Sequence, residues 1–157
     1  MFGKIFKYIF YTALLVAFVF AILRYSFSIS YIPLKIHSKY YKKNNVVING
    51  YDVVKYFTEK KPKKGFEFYF LKWNDFNWIF NNSGDMKTFE ANPKKYAPQF
   101  GGYDGYWITK NIAYPPDPNI FYIYRGKLYL FSNKENKELF TADIKKSIAE
   151  ASVNWNN

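Results

Sequence analysis

The alternation of apolar and polar residues divides the chain into three parts. An uncharged apolar run extends from Tyr8 to Leu23 and contains neither Pro nor Gly. With the apolar residues that flank it, this run reaches the ~20 residues that a transmembrane helix needs. Residues 26–45 are polar and basic, and beyond residue 45 short apolar runs alternate with turn signals. The pattern predicts a membrane anchor over residues 1–25, a basic connector over 26–45 that serves as a solvated tether, and a domain over 46–157.

The anchor has one rival interpretation, a cleaved secretory signal. Lys4 and Lys7 resemble the basic start of a signal peptide, but Arg24 follows the apolar run directly and no Ala-x-Ala cleavage site appears. We therefore predict an uncleaved single-pass protein of the bacterial or the mitochondrial inner membrane. The cations after the helix favour a cytoplasmic or matrix domain, whereas the short basic tail before it suits export, so both orientations stay open.

Two β-hairpins are predicted in the domain. Residues 66–73 and 77–80 flank a turn at Asn74-Asp75, and residues 121–124 and 128–131 flank a turn at Arg125-Gly126. Helices are predicted over residues 52–57, from a cap at Asn82-Ser83 to Ala91, over 134–140 and over 143–152, and a strand over 106–112. The pattern shows no internal repeat. The predicted fold class is α+β, with short helices around the two hairpins.

The amino-acid composition limits the catalytic and metal-binding chemistry that the chain can perform. The chain has no cysteine and one histidine, which excludes disulfides, thiolate metal sites and a catalytic Cys, and leaves no base for a Ser nucleophile in the domain. We predict that the protein is not an enzyme and uses no cofactor.

The net charge of +11 suggests that the protein binds nucleic acid, but only two of the 23 cations are arginines and the N-terminal part carries much of the excess positive charge. We therefore predict no nucleic-acid partner. The histidine, His37, is expected on the surface of the connector.

Three stretches resemble the YHS-domain family. They are Asn49-Gly50-Tyr51-Asp52-Val53-Val54-Lys55-Tyr56-Phe57, Trp78-Ile79-Phe80, and Phe89-Glu90-Ala91-Asn92-Pro93-Lys94-Lys95-Tyr96-Ala97-Pro98-Gln99-Phe100-Gly101-Gly102-Tyr103. Asp117-Pro118, the Gly126 to Leu130 strand and Asn154-Trp155 also resemble the exported or membrane-anchored form. The resemblance covers about residues 46 to 155.

The resemblance implies a metal-associated module, often discussed in connection with copper. The cysteine that usually follows Gly-Gly-Tyr in that family is Asp104 here, and the domain offers no thiolate or imidazole in its place. We therefore predict no soft-metal site. Asp104 and Asp117 are weak candidates for holding a hard cation through oxygen ligands.

The central segment of the resemblance is expected to be a structural or binding element. It comprises Tyr96, Pro98, Phe100, Gly101, Gly102 and Tyr103, with the aromatic rings buried and a glycine at positive φ.

The first function we predict is an accessory or assembly subunit of a membrane complex, possibly respiratory in type, which contacts lipid through residues 8–23 and binds membrane-protein partners. Alternatives are a tethered carrier or sensor for a metal or small aromatic ligand, and a hydrolase that uses carboxylates such as Asp52, Asp75, Asp104 and Asp117.

Overall fold

A computed structural model describes residues 2–156, with side chains from residue 3 onwards. Met1 and Asn157, the ends of the predicted anchor and domain, lie outside the described residues. Within them the chain is mixed α+β. The helices are α1 (Phe2–Phe27), α2 (Lys55–Thr58), α3 (Ser83–Ala91), α4 (Pro93–Tyr96), α5 (Gly105–Thr109), α6 (Lys134–Ala142) and α7 (Ile144–Asn156). The strands are β1 (Ser30–Tyr31), β2 (Lys42–Lys43), β3 (Val46–Val47), β4 (Phe66–Trp73), β5 (Phe76–Phe80), β6 (Ile112–Ala113), β7 (Asp117–Tyr124) and β8 (Lys127–Phe131).

The apolar run lies within the single long helix α1. Within Gly3–Phe27, an 18-residue window has a mean hydropathy of 2.2, and no residue of that window is buried inside the protein. At 1.5 Å per residue the 26 residues of α1 extend about 39 Å, which exceeds the ~30 Å of a bilayer core. The helix is thus long and apolar enough to cross a membrane. It ends where Ser28 turns to a positive φ of 56° and the Ile29 N–H donates to the Leu23 carbonyl at 3.0 Å.

Both predicted hairpins are present. Strands β4 and β5 pair antiparallel around Asn74-Asp75, and β7 and β8 pair around Arg125-Gly126, with all four turn residues at positive φ. Positive φ at two successive turn residues matches the right-handed twist of the strands. Strand β5 also pairs with β3, so the first hairpin belongs to a four-stranded sheet of order β2-β3-β5-β4, in which β4 is an edge.

The connector is not a solvated tether, contrary to the sequence prediction. Strand β1 pairs with β6 of the domain, β2 pairs with β3, and Ile32, Tyr40 and Tyr41 are buried. The Tyr40 ring packs on Trp78 with centroids 5.0 Å apart. The sequence did not indicate this packing, because the segment is basic overall and the three buried side chains contact partners in distant parts of the chain. Two residues, Ser28 and Ile29, separate α1 from the folded domain.

The strand predicted over residues 106–112 is also wrong. The segment instead begins with helix α5, because the Asp104 carboxylate accepts hydrogen bonds from the N–H groups of Tyr106 and Trp107 and caps it. Only residues 112–113 form a strand, β6. Asp104 lies just before the aromatic run whose composition suggested a strand, and its capping role depends on the turn that precedes it.

The domain contains an internal repeat that the sequence analysis missed. The first repeat, residues 48–95, and the second, residues 100–146, each contain a left-handed turn, a buried aspartate, a short helix, a hairpin and a capped helix. The hairpins even share one irregularity, since the pairing register shifts between Phe66 and Phe70 in β4 and between Asp117 and Phe121 in β7. The N-caps Asn82 and Asn133 have the same backbone angles to within one degree.

Few identities mark the repeat in the sequence. Gly50-Tyr51-Asp52 corresponds to Gly102-Tyr103-Asp104, and the Phe-x-Ala-(Asn/Asp)-x-Lys-Lys pattern of residues 89–95 recurs at residues 140–146. The core is repeated too. The buried pairs at corresponding positions are Trp78 and Tyr129, Phe80 and Phe131, and Phe89 and Phe140.

Candidate functional site

The segment that carries the family resemblance lies at the centre of the domain. Tyr96, Phe100 and Tyr103 are buried, as expected from the sequence, and the chain passes through a left-handed turn at Phe100, Gly101 and Gly102 with φ of 52°, 61° and 80°. The Phe100 ring packs against Tyr129 of the second hairpin, at a centroid distance of 5.9 Å. The segment thus joins the second hairpin to the N-terminal part of the domain.

Gly101 is required by a close backbone approach. A Cβ built at Gly101 would overlap the carbonyl oxygen of Lys39, and φ there is in the region that side chains oppose. The Gly101 carbonyl accepts the Tyr41 N–H at 2.9 Å. The glycine therefore lets residues 39–41 lie directly on the turn, which fixes the connector to the domain.

A shallow cleft opens beside this contact. Its volume is 240 Å³, and its walls come from Lys39, Pro98, Gln99, Phe100 and the end of α7, including Ser152 and Trp155. An adjoining cleft of 360 Å³ shares Lys39 and Trp155 and is lined further by Ile32, Lys35 and His37. Pro98 and Phe100, both predicted site residues, thus border open space as well as core.

His37 is not the surface residue that the sequence predicted. Its ring is half-buried and tilts against Trp155 at a centroid distance of 4.9 Å, and its Nδ1 is buried without a hydrogen-bond partner in the described part of the chain. Burial, and secondarily the nearby Arg24 guanidinium, lower the pKa of His37. The imidazole is therefore neutral at physiological pH.

Asp104 serves the fold. It is fully buried, and its two carboxylate oxygens accept hydrogen bonds from the backbone of Tyr106, Trp107 and Ser132 and from Nδ2 of Asn136, at 2.6–3.2 Å. These four donors occupy the lone pairs that a cation would need. Asp104 therefore holds α5 and α6 to the end of β8.

Asp52 holds the corresponding place in the first repeat. Its oxygens accept the N–H groups of Val54 at 2.8 Å and Asn81 at 2.7 Å. The residue that corresponds to Asn136 is Asp85, which forms an ion pair with Lys55 at 2.9 Å, and Lys55 also binds Glu59 at 2.8 Å. Of these acidic residues the sequence analysis named only Asp52, and the cluster extends from the buried Asp52 and Asp85 to the exposed Glu59.

Asp117, the other predicted metal candidate, begins β7 and accepts hydrogen bonds at 2.9 Å from the backbone and side chain of Asn119. Within residues 2–156, no group of three or more His, Cys, Asp or Glu side chains is placed to hold a metal ion. The structure thus gives Asp104 and Asp117 separate, local roles.

Sequence reasoning missed a row of exposed aromatic side chains. Phe66, Phe68 and Phe70 alternate along β4, the edge of the four-stranded sheet, and all three are exposed, Phe68 to 86%. The preceding loop presents four exposed lysines, Lys60, Lys61, Lys63 and Lys64. We refer to these residues together as the phenylalanine row and its lysine loop. The signal in the sequence was the two-residue spacing of the phenylalanines, which is typical of one side of a strand, although the register of β4 shifts between Phe66 and Phe70.

The second repeat lacks such a row. The positions that correspond to Phe66, Phe68 and Phe70 hold Asp117, Asn119 and Phe121, and the Phe121 ring packs on Tyr56 of the first repeat at 5.0 Å. The two hairpins therefore share a backbone but not a surface. At these positions the second hairpin carries two polar side chains and one packed ring, whereas the first hairpin projects three large apolar side chains outward.

Comparison of the chain with protein-family models, with curated proteins and with solved structures gives no match. The site is therefore interpreted from its own geometry and from the motif residues that resemble the YHS family.

Proposed function

We propose that this protein is a membrane-anchored, YHS-like binding module that does no catalysis and serves as an accessory or assembly subunit of a membrane complex. Helix α1 supplies the anchor. The domain uses its buried carboxylates for its own fold, since Asp104 and Asp52 accept hydrogen bonds from the ends of helices and strands. The groups that remain for function lie on the surface.

The observation that carries the proposal is the phenylalanine row. Three large apolar side chains in line on an edge strand are costly to leave in water, at roughly 25 cal/mol for each Å² of apolar surface. Exposed apolar patches on folded domains mark interaction surfaces, and an unpaired strand edge can also accept a further strand. The second hairpin has the same backbone but carries Asp117 and Asn119 at the positions of Phe66 and Phe68, which indicates that the row is not demanded by the fold.

The row and its lysine loop define the chemistry of the partner. Lys60 and Lys61 are exposed and carry no ion pair in the described residues, whereas Lys63 pairs with Glu59. A partner that fits this surface has an apolar groove, or a free strand edge, with acidic residues at its rim. Since α1 keeps the domain at a bilayer, the partner is a membrane protein or a domain held at the same surface.

The test is co-purification from native membranes in a mild detergent. We expect the wild-type protein to migrate with a larger assembly, and the triple variant Phe66→Ser, Phe68→Ser, Phe70→Ser to migrate alone while keeping its melting temperature. Val153→Ser, which removes an equally exposed apolar side chain from α7, is the matched control and should leave the assembly intact. An assembly that survives the triple substitution would contradict the proposal.

A second candidate is a ligand carrier, favoured by the cleft between the connector and α7. The unpartnered Nδ1 of His37, the Trp155 ring and the flanking Lys35 and Lys39 suit a planar anionic ligand. A change in the absorption or the melting temperature of the purified protein on adding a planar carboxylate, lost in Trp155→Ala but kept in Val153→Ser, would favour this function over the first.

A further inference from the structure

The junction between α1 and the domain contains a groove with apolar walls. Its volume is 440 Å³, and it is lined on one side by Ala17, Phe20 and Ala21 of α1 and on the other by Leu34 and Ile36. Nε of Arg24 donates to the Ile36 carbonyl at 2.9 Å and ties the two sides together. Residues 31–36 therefore lie beside the C-terminal turns of the helix instead of leading away from it.

The position of the groove along α1 indicates how deep the groove lies in a bilayer that α1 spans. Ala17 precedes Arg24, the first charge after the apolar run, by seven residues, and at 1.5 Å per residue this is about 10 Å of helix. If α1 spans the bilayer, Ala17 and Phe20 face acyl chains, because the run without charge must occupy the hydrocarbon. Side chains that share a groove with them lie at the depth of the headgroups and the upper acyl chains.

Residues 31–36 form a loop whose side chains suit the depth of the headgroups and the upper acyl chains. Tyr31, Leu34 (49%) and Ile36 (44%) are exposed, and Ile32 between them is buried in the domain, so the loop is held from behind while its apolar tips face outward. The loop is a short 3-10 turn, Ile32–Leu34, closed by Lys35 at φ 52° with its N–H on the Ile32 carbonyl. A rigid turn with apolar tips loses little conformational entropy on entering a membrane.

The charges around the loop are of one sign. Lys35 belongs to the loop, Arg24 binds its Ile36 carbonyl and Lys39 follows it, and the chain contains no acid before Asp52. Near an anionic leaflet each such cation adds electrostatic attraction. Apolar tips accompanied by cations match the two layers of a lipid surface, with hydrocarbon below and phosphate above.

We infer that residues Tyr31–Ile36 form a second membrane-inserted element, which enters the same leaflet as the C-terminal end of α1 and seats the domain directly on a phospholipid surface. The occupant of the apolar surface is lipid, because the groove is continuous with the apolar face of α1. The inference rests on the proposed anchorage by α1. It concerns a face other than the phenylalanine row, so it does not depend on the proposed protein partner.

The absence of cysteine from the chain permits a direct test. Single variants Leu34→Cys and Ile36→Cys, each carrying a nitroxide label, are placed in nanodiscs that contain anionic phospholipid and one copy of the full chain. Electron paramagnetic resonance then compares collisions of the label with oxygen, which concentrates in lipid, and with a water-soluble nickel chelate. We expect oxygen to dominate several-fold at both positions.

Two controls bracket the result. Val16→Cys on α1 reports lipid, and Leu139→Cys on α6 reports water; both parent side chains are exposed. Labels at residues 34 and 36 that resemble the label at residue 16 support the inference. If they resemble the label at residue 139 while residue 16 reports lipid, the inserted loop is overturned and the anchor stands. A residue 16 that reports water overturns both.

Discussion

Two buried aspartates at corresponding positions of the two repeats differ in one neighbour. Asn136 donates a hydrogen bond to Asp104, whereas Asp85, at the same place beside Asp52, is another carboxylate. Burial raises the pKa of Asp52 to about 6; the N–H groups of Asn81 and Val54 offset part of this effect, and the charge of Asp85 adds to it. Burial is thus the main cause of the raised pKa of Asp52, and the neighbouring Asp85 carboxylate adds to it.

The raised pKa of Asp52 has a definite sign for stability. The folded protein holds this proton more tightly than the unfolded chain, whose value is 3.8, so the contribution is fully present below that value and is lost as pH rises through about 6. The difference between the two pKa values corresponds to about 3 kcal/mol in the free energy of unfolding.

Glu59 acts in the opposite direction. Its pairs with Lys55 and then Lys63 lower its pKa to about 2, so its contribution is lost as pH falls below 4.5. From these two groups, the free energy of unfolding should be greatest between about pH 3.8 and 4.5 and should decline as pH rises towards 6.

Replacing Asp85 with Asn should make the first repeat resemble the second. The substitution removes the neighbouring charge and supplies an N–H donor to Asp52, while Lys55 keeps Glu59 as a partner. We expect the pKa of Asp52 to fall, because Asp85 raises it, and the rise in stability between pH 7 and pH 5 to shrink accordingly. Carbon-13 NMR titration of the Asp52 carboxyl and thermal melts across this range measure both effects.

The control for this experiment is Asp143→Asn, which removes an exposed carboxylate from the junction of α6 and α7. It should leave the titration of Asp52 unchanged. An unaltered Asp52 pKa in Asp85→Asn would show that burial alone sets the value.

At the scale of elements, local signals predicted the hairpins and the capped helices well. Asn74-Asp75 and Arg125-Gly126 stand between alternating apolar residues, and Asn82 precedes a polar helical segment, so turn and cap chemistry lies within a few residues of the element it determines. The elements that were missed depend on distant partners. Strand β1 exists because β6 pairs with it, and α5 replaced the predicted strand because the buried Asp104 caps it.

The left-handed turn at residues 100–102 is the element whose integrity can be tested most sharply. Phe100→Ala should reduce the free energy of unfolding by about 3–5 kcal/mol through lost burial and a cavity against Tyr129 and Trp155. Because φ at residue 100 is 52°, Phe100→Gly removes the same ring but relieves the backbone, and should be no less stable than the alanine variant. Denaturant unfolding of both variants checks this order.

A different result would change the interpretation of the segment. If Phe100→Ala keeps the wild-type melting temperature but loses a ligand or a partner, residues 96–103 are a recognition surface, and the ligand-carrier function gains support.

At the scale of the whole molecule, the sequence predicted the mixed α+β fold class and the long N-terminal apolar helix, but not the internal repetition. The repeats keep their backbone through a few glycines, caps and buried rings, while most other positions have diverged, so no run of identical residues longer than Gly-Tyr-Asp exposes them. The candidate site was partly predictable. The buried rings of residues 96–103 followed from the motif, whereas the phenylalanine row required knowledge that β4 is an edge.

The anchor can be tested in the intact protein. Leu15→Asp with Val19→Asp should add roughly 5–7 kcal/mol to membrane insertion and abolish carbonate-resistant association with membranes. The control Leu15→Ala with Val19→Ala keeps the segment apolar and should remain in the membrane. Detection of a mature N-terminus between residues 26 and 30 would instead identify α1 as a cleaved signal.

The short junction after α1 has a consequence for direction. Because only Ser28 and Ile29 separate the helix from β1, and Arg24 binds the Ile36 carbonyl, anchor and domain must rotate together about the helix axis. Each residue inserted into an α-helix turns the downstream chain by about 100°. If α1 spans a membrane, the direction in which the phenylalanine row points within the membrane plane is therefore set by whichever face α1 presents to its neighbours. A neighbouring helix that packs against one face of α1 would thereby fix the direction in which the row points.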